Sequence, residues 1–160
     1  MTEKTEFSLD EQLRSCILLL EKQWEAKELM LDIDLVELRC RGNKQMLEQA
    51  WINLLNNAIK FTPEGGTISV SLKVEGRQAI IRFGDTGIGM TEETLAHIFE
   101  KFYQGDKAHH GEGNGLGLTM VQRIIKLSGG TIHAESVPGK GSTFSVCLPL
   151  DSAAKQPFLR

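Results

Sequence analysis

The chain has 160 residues, 41% of them apolar and 24% charged, with a net charge of −3, which suits one globular domain with a buried core and excludes the basic footprint of a nucleic-acid binder. Cys16, Cys40 and Cys147 are scattered, with no CxxC pair or Cys/His pair at metal spacing; this argues against zinc, and the odd count without a signal-peptide pattern points to a reducing compartment. The longest apolar run, Cys16 to Leu20, is far too short to cross a membrane.

Residues 1–7 read as linker. Ser8, with Glu11 three residues on, starts a helix through a capping box, and Leu9, Leu13, Ile17, Leu20 and Trp24 extend it at helical spacing. Leu29, Leu31, Ile33 and Leu35 alternate, which predicts a half-buried strand. Asn43 can cap a second helix that runs to about Phe61 on a stripe of Leu47, Ala50, Trp51, Leu54, Leu55 and Ala58. Thr62-Pro63-Glu64-Gly65-Gly66 breaks it. Ile68, Val70, Leu72 and Val74 alternate as a strand, Glu75-Gly76-Arg77 turns, and Ala79 to Phe83 returns.

Thr91 caps a short helix expected to reach Phe99, with Glu92 and Glu93 where the helix dipole favours them. Residues 104–115 are polar, glycine-rich and aperiodic, a long loop of the kind that carries function. A helix from about Leu116 to Leu127 closes on Gly129-Gly130. Thr131 to Ser136 and Thr143 to Leu148 form a last hairpin around Pro138-Gly139-Lys140-Gly141, and residues 151–160 read as a frayed tail. The sum is one α/β domain spanning residues 8–150, with helices on one face of a sheet.

Four segments carry chemistry. Asn53, Asn57 and Lys60 share one face of the second helix, opposite Leu47, Leu54 and Ala58. A polar face is usually only solvated, but three asparagines among five mid-helix residues are unfavourable for a helix and suggest a functional return. An amide oxygen suits Mg²⁺ and a lysine suits phosphate. Asp85-Thr86-Gly87-Ile88-Gly89-Met90 follows a strand, and its glycines let backbone approach a ligand. Gly113-Asn114-Gly115-Leu116-Gly117-Leu118 opens a helix, where backbone N–H groups meet phosphate. It is neither the dinucleotide fingerprint nor a Walker loop. Phe99-Glu100-Lys101-Phe102-Tyr103 reads as core or as the hinge of the loop. His97, His109, His110 and His133 have no serine or cysteine partner in a hydrolytic arrangement.

In this order and spacing, the four segments resemble the ATP-binding domain of sensor histidine kinases in the GHKL superfamily. The N box is matched by Asn53-Leu-Leu-Asn-Asn57-Ala-Ile-Lys60-Phe61. The first glycine box, the F box and the second glycine box are matched by the segments at 85–90, 99–103 and 113–118. The resemblance implies the Bergerat fold, an α/β two-layer sandwich. Its sheet is mixed and mostly antiparallel, with about five strands and about three helices on one face. It implies that ATP lies between the N-box helix and a lid at 104–115. Asn57 would ligate Mg²⁺, with Lys60 and Asn53 reaching the phosphates. Asp85 would accept from the adenine amino group, helped by Thr143 through water. Phe61, Gly87, Ile88, Gly89, Phe102 and Tyr103 would line the site. Gly113, Asn114, Gly115, Leu116, Gly117 and Leu118 would wrap the phosphates. Gln104 departs from an arginine many relatives carry, so no arginine-assisted transfer is implied.

The superfamily's hydrolases carry a glutamate four residues before the Mg²⁺ asparagine, as general base on water. Asn53 stands there and cannot take a proton, which fits a kinase whose acceptor is already nucleophilic. The phosphoacceptor pattern, His followed by an acidic residue, Arg and Pro, follows none of the four histidines. The expected activity is therefore transfer of the γ-phosphoryl group of Mg-ATP to a histidine on a separate, upstream dimerisation domain, which passes it to a response regulator. The expected setting is cytoplasmic, with the isolated chain monomeric. The alternatives are a nucleotide-binding sensor without transfer activity and a GHKL-type ATPase.

Overall fold

Three polar side chains start three of the helices, as expected. Ser8 Oγ accepts from the Glu11 N–H at 3.3 Å, Asn43 Oδ1 from the Met46 N–H at 3.0 Å, and Thr91 Oγ1 from the Thr94 N–H at 3.1 Å. The structure, a computed structural model, describes residues 4–100 and 117–150. In chain order the elements are β1 (Thr5–Ser8), α1 (Leu9–Leu19), α2 (Glu21–Ala26), β2 (Met30–Leu35), β3 (Arg39–Gly42) and α3 (Lys44–Phe61). Then come β4 (Thr67–Glu75), β5 (Gln78–Asp85), α4 (Glu92–His97), α5 (Gly117–Leu127), β6 (Thr131–Val137) and β7 (Gly141–Pro149).

The main sheet has five strands in the order β2-β4-β5-β7-β6. Only β2 runs parallel to its neighbour; the other pairings are antiparallel. Alternation puts Ile68, Val70, Leu72, Ile81, Phe83, Phe144 and Val146 into one core with residues of α1, α3 and α5. The opposite face carries Ser69, Ser71, Arg82 and Ser145. This is the mixed two-layer α/β architecture that the resemblance implies.

Trp51 of α3 sits at the centre with 0% exposure, stacked on Phe83 at 5.8 Å between ring centroids. Its indole N–H donates to Gln12 Oε1 at 2.7 Å, while Gln12 Nε2 donates to Lys44 O at 2.8 Å. The buried amide thus joins α1 to the start of α3 and leaves neither side-chain group unpaired. Asp10, also buried, accepts from the Leu38 N–H, Arg14 and Ser8. Burial opposes its charge, but these hydrogen bonds outweigh it and hold the carboxyl below its ordinary value.

The structure corrects the element boundaries in several places. Residues 5–7, expected as linker, belong to β1, which pairs with β3 as a two-stranded sheet and buries Phe7. The first helix breaks at Leu20, whose N–H turns to Ile17 O and Leu18 O. Trp24 spans the break by donating to Ile17 O at 2.9 Å, so one apolar stripe serves two helices. Helix α4 stops at His97 instead of Phe99. Helices α1, α3 and α5 supply the core on one face of the sheet, in keeping with the three expected there. Helix α5 does close as expected: Gly129 adopts φ +82°, and the N–H groups of Gly129 and Gly130 reach Lys126 O and Ile125 O. The expected lid and the C-terminal tail lie outside the described residues.

Candidate functional site

Helix α3 presents Asn53, Asn57 and Lys60 on one half-buried face, while Asn56 between them is exposed. Asn53 Nδ2 donates to Gln49 O at 2.9 Å, one turn back. Its Oδ1 therefore turns outward, toward the start of α5: a methyl group on Gly117 would stand 3.4 Å from it. The N-terminal turn of α5, the positive end of its dipole, thus stands beside the amide face of α3. The oxygen that Asn53 turns there is an acceptor, so an anion at the start of α5 would find its donors in the α5 backbone and not in that oxygen. The Lys60 ammonium lies over the Phe61 ring at 5.2 Å. Leu118, in the same first turn of α5, is half-buried against the core.

The C-terminal end of α3, one residue past Lys60, is joined to the loop after β5. Phe61 O accepts from the Ile88 N–H at 3.2 Å, and a Cβ on Gly87 would lie 2.4 Å from the same oxygen. Gly89 has φ +71°, and its Cβ would lie 2.1 Å from Val137 O. These glycines are required by contact and by backbone conformation. Ile88 O accepts from the Gly139 N–H, and the Met90 N–H donates to Ser136 Oγ at 2.7 Å, so the turn after β6 braces the loop.

Asp85 ends β5 on the core side of the sheet, and its Oδ1 accepts from the Gly87 N–H at 2.8 Å. Burial raises its carboxyl above the ordinary value, and the N–H groups of Gly87 and Ser142 counter that in part. A half-buried carboxylate that accepts from two backbone N–H groups keeps lone pairs for a further donor.

Thr143 does not join Asp85. It pairs with Gly84, and its hydroxyl would lie 3.6 Å from a Gly84 Cβ, so it occupies the opposite face of the sheet. The residue across from Asp85 is Ser142, which is buried, shares its hydroxyl with Ser136 at 2.8 Å and directs its N–H at the carboxylate. Sequence reasoning missed Ser142 by one residue. Strand alternation from Phe144 and Val146, both inward, was the signal that assigns it to the inner face.

Thr119 Oγ1 donates to Phe99 O at 2.9 Å, and Phe99 meets Phe144 edge to face at 6.3 Å, so both flanks of the 101–116 segment are held together. Phe102, Tyr103, Gly113, Asn114, Gly115 and Leu116 lie outside the described residues, as do Gln104, His109 and His110. His97 pairs with Glu100 at 2.6 Å, and His133 is exposed on β6; neither joins the face of α3. Among the described residues no group of three or more His, Cys, Asp or Glu side chains could hold a metal ion. No helix among them is long and apolar enough to cross a membrane.

Residues 42–152 match the family described as histidine kinase-, DNA gyrase B-, and HSP90-like ATPase. The chain is 42% identical over 127 residues to the circadian input-output histidine kinase CikA of Synechococcus elongatus, covering 76% of this chain and 17% of CikA. It is 36% identical over 149 residues to sporulation kinase E of Bacillus subtilis, covering 90% of this chain and 19% of that kinase. Among solved structures, the nucleotide-free catalytic domain of the histidine kinase ThkA matches with a TM-score of 0.83 at 28% identity, covering 93% of this chain and 97% of that one. Full-length ShkA in complex with AMPPNP matches with a TM-score of 0.86 at 26% identity, over 98% of this chain and 33% of ShkA. The chain thus spans less than a third of the length of these two curated relatives.

Proposed function

We propose, from the premise that the chain belongs to the histidine kinase-, DNA gyrase B-, and HSP90-like ATPase family, that residues 8–150 bind Mg-ATP and donate its γ-phosphoryl group to a histidine on a separate dimerisation domain. The observation that carries this is the meeting of the α3 amide face with the start of α5, on a helix whose C-terminal residue, Phe61, holds the Asp85 loop. Groups suited to phosphate along α3 and α5 and a carboxylate acceptor at Asp85 are together what one nucleotide needs. ShkA, with AMPPNP bound, supports the reading as a relative of this fold.

In this reading Asp85 accepts from the exocyclic amino group of adenine, with Ser142 and Gly87 holding the carboxylate in place. Ile88 and Gly89 line the base, and Phe61 flanks it. Lys60, Asn53 and the first turn of α5, Gly117 and Leu118, face the phosphates. Phe102, Tyr103, Gly113, Asn114, Gly115 and Leu116 are proposed to complete the enclosure. Mg²⁺, when bound, neutralises phosphate charge. Asn57 would hold it through its side-chain oxygen. One amide plus substrate and water oxygens is a donor set that suits this hard, well-hydrated ion.

Catalysis here is chiefly positioning and charge neutralisation. Asn53 is an amide whose N–H₂ is engaged by Gln49 O, so it is no base for water. The acceptor must bring its own lone pair, as a neutral imidazole does. The partners that follow are an upstream dimerisation domain and, beyond it, a response regulator, in the cytoplasm. ThkA has been solved in complex with its response regulator TrrA, and the matched region has a TM-score of 0.79 to this chain.

The site reading is tested by calorimetry and phosphate release on the isolated chain. Mg-ATP should bind at one site and GTP much more weakly, and release of phosphate should be slow. Rapid steady turnover without a partner would instead favour a hydrolase of the same family.

A further inference from the structure

We infer that Lys27 is a positioning residue for the phosphate end of the nucleotide site, acting through the last turn of α3. This rests on the nucleotide-binding reading above. Lys27 lies in the turn after α2, far from the site in sequence and on no matched box. Its Nζ donates to three backbone oxygens: Ile59 O at 2.7 Å, Lys60 O at 3.1 Å and Thr62 O at 3.0 Å. These are carbonyls at the C-terminal end of α3, which a helix leaves without intrahelical partners and where a cation is favoured by the dipole.

A compact ammonium with three donors is the side chain that can satisfy three converging carbonyls at once. The same turn is gripped on its far side. Gly65 N–H donates to Lys27 O at 2.8 Å and Met30 N–H to Gly66 O at 2.8 Å. The segment from Lys27 to Met30 therefore clamps residues 59–66 through side chain and backbone together.

What this turn holds is the reason for a functional reading. It contains Lys60, proposed for the phosphates, and Phe61, whose carbonyl receives the Ile88 N–H of the adenine-side loop. Thr62, 0% exposed, adds a bond from its hydroxyl to Ala58 O at 2.6 Å but carries no charge to the helix end. Without the ammonium, the Lys60 and Thr62 carbonyls lose a charged donor, and the turn that aims the Lys60 side chain is free to unwind. The consequence falls on triphosphate binding through Lys60, and the fold elsewhere keeps its core.

The test is a double-mutant cycle on the chain itself, read by calorimetric ATP affinity and by thermal melting, with wild type, Lys27→Met, Lys60→Ala and the double variant. Lys27→Met keeps the apolar stem and removes the charge. It is expected to weaken Mg-ATP binding about 3- to 10-fold in the wild-type background and by less than about 2-fold once Lys60 is alanine. Equal losses in the two backgrounds, or no loss, would overturn the inference, because a purely structural lysine lowers the melting temperature without coupling to Lys60. If Lys27→Met does not fold, Lys27→Arg enters the same cycle, since a planar guanidinium cannot meet the three carbonyls as an ammonium does. Wild-type chain that binds no ATP would overturn the nucleotide reading instead, so the two failures are distinguishable.

Discussion

Asp85 is the residue on which the nucleotide reading depends most, because it is an acceptor held at a price in hydration by the fold. Replacing it with alanine removes a charged hydrogen-bond acceptor, a contribution of roughly 1.5–3 kcal/mol, and should weaken ATP binding about 10- to 150-fold. Calorimetry that finds unchanged affinity in Asp85→Ala would remove adenine from this position. The same side chain sets a pH dependence. Burial raises its folded pKa above the ordinary 3.8, so the folded chain keeps that proton to higher pH than the unfolded chain does. Its contribution to stability is therefore most favourable in acid and declines as pH rises through the folded pKa. Asp85→Asn, which retains an oxygen for the Gly87 and Ser142 N–H groups, should stabilise the nucleotide-free chain at neutral pH, with a gain that shrinks as the solution is acidified. Melting curves across pH decide this; a variant less stable than wild type at pH 7 would contradict it.

Helix α3 joins fold and function, and its two faces can be separated by mutation. On the core face, Trp51→Ala leaves a cavity against Phe83 and an unpaired Gln12 Oε1, and should destabilise by about 3–5 kcal/mol in denaturant unfolding. On the polar face, Asn57→Ala should leave the fold as stable or slightly more so, since alanine is the better helix former, while removing the proposed Mg²⁺ ligand. Unfolding of Asn57→Ala would show that the asparagine is structural. In the loop after β5, Gly89→Ala meets both positive φ and Val137 O; the backbone conformation alone costs about 1–3 kcal/mol, and nucleotide affinity should fall with it.

These elements differ in how far the sequence reveals them. The α3 stripe, its Asn43 cap and the β4–β5 hairpin were legible because the local pattern and the tertiary environment agree. Strand β1 was not legible: Thr5–Ser8 is too short for a period, and its pairing with Arg39–Gly42 is a tertiary fact. The break at Leu20 was hidden because the apolar stripe continues across it to Trp24. In the site, Asn53, Asn57, Lys60 and Asp85 stood out by residue type, whereas Ser142 was displaced by one residue to Thr143, a choice that only register decides. Lys27 gave no signal, since an exposed-looking lysine in a turn reads as solubility until its three carbonyls are seen.

At the scale of the molecule, the layers explain why one face can be spent on a ligand. The sheet and the α1–α3 contact bury the core without help from the Asn53, Asn57 and Lys60 face, and the two flanks of the 101–116 segment, Phe99 and Thr119, are tied beside it. The central claim is that such a surface transfers a phosphoryl group to a partner and does not hydrolyse ATP. The direct measurement follows radiolabel from γ-labelled ATP with Mg²⁺, on this chain mixed with the matching dimerisation domain. Acid-labile label is predicted on the partner's histidine alone, and it should be absent with Asn57→Ala. Label on His97, His109, His110 or His133 of this chain, or rapid release of phosphate with no partner present, would contradict the account.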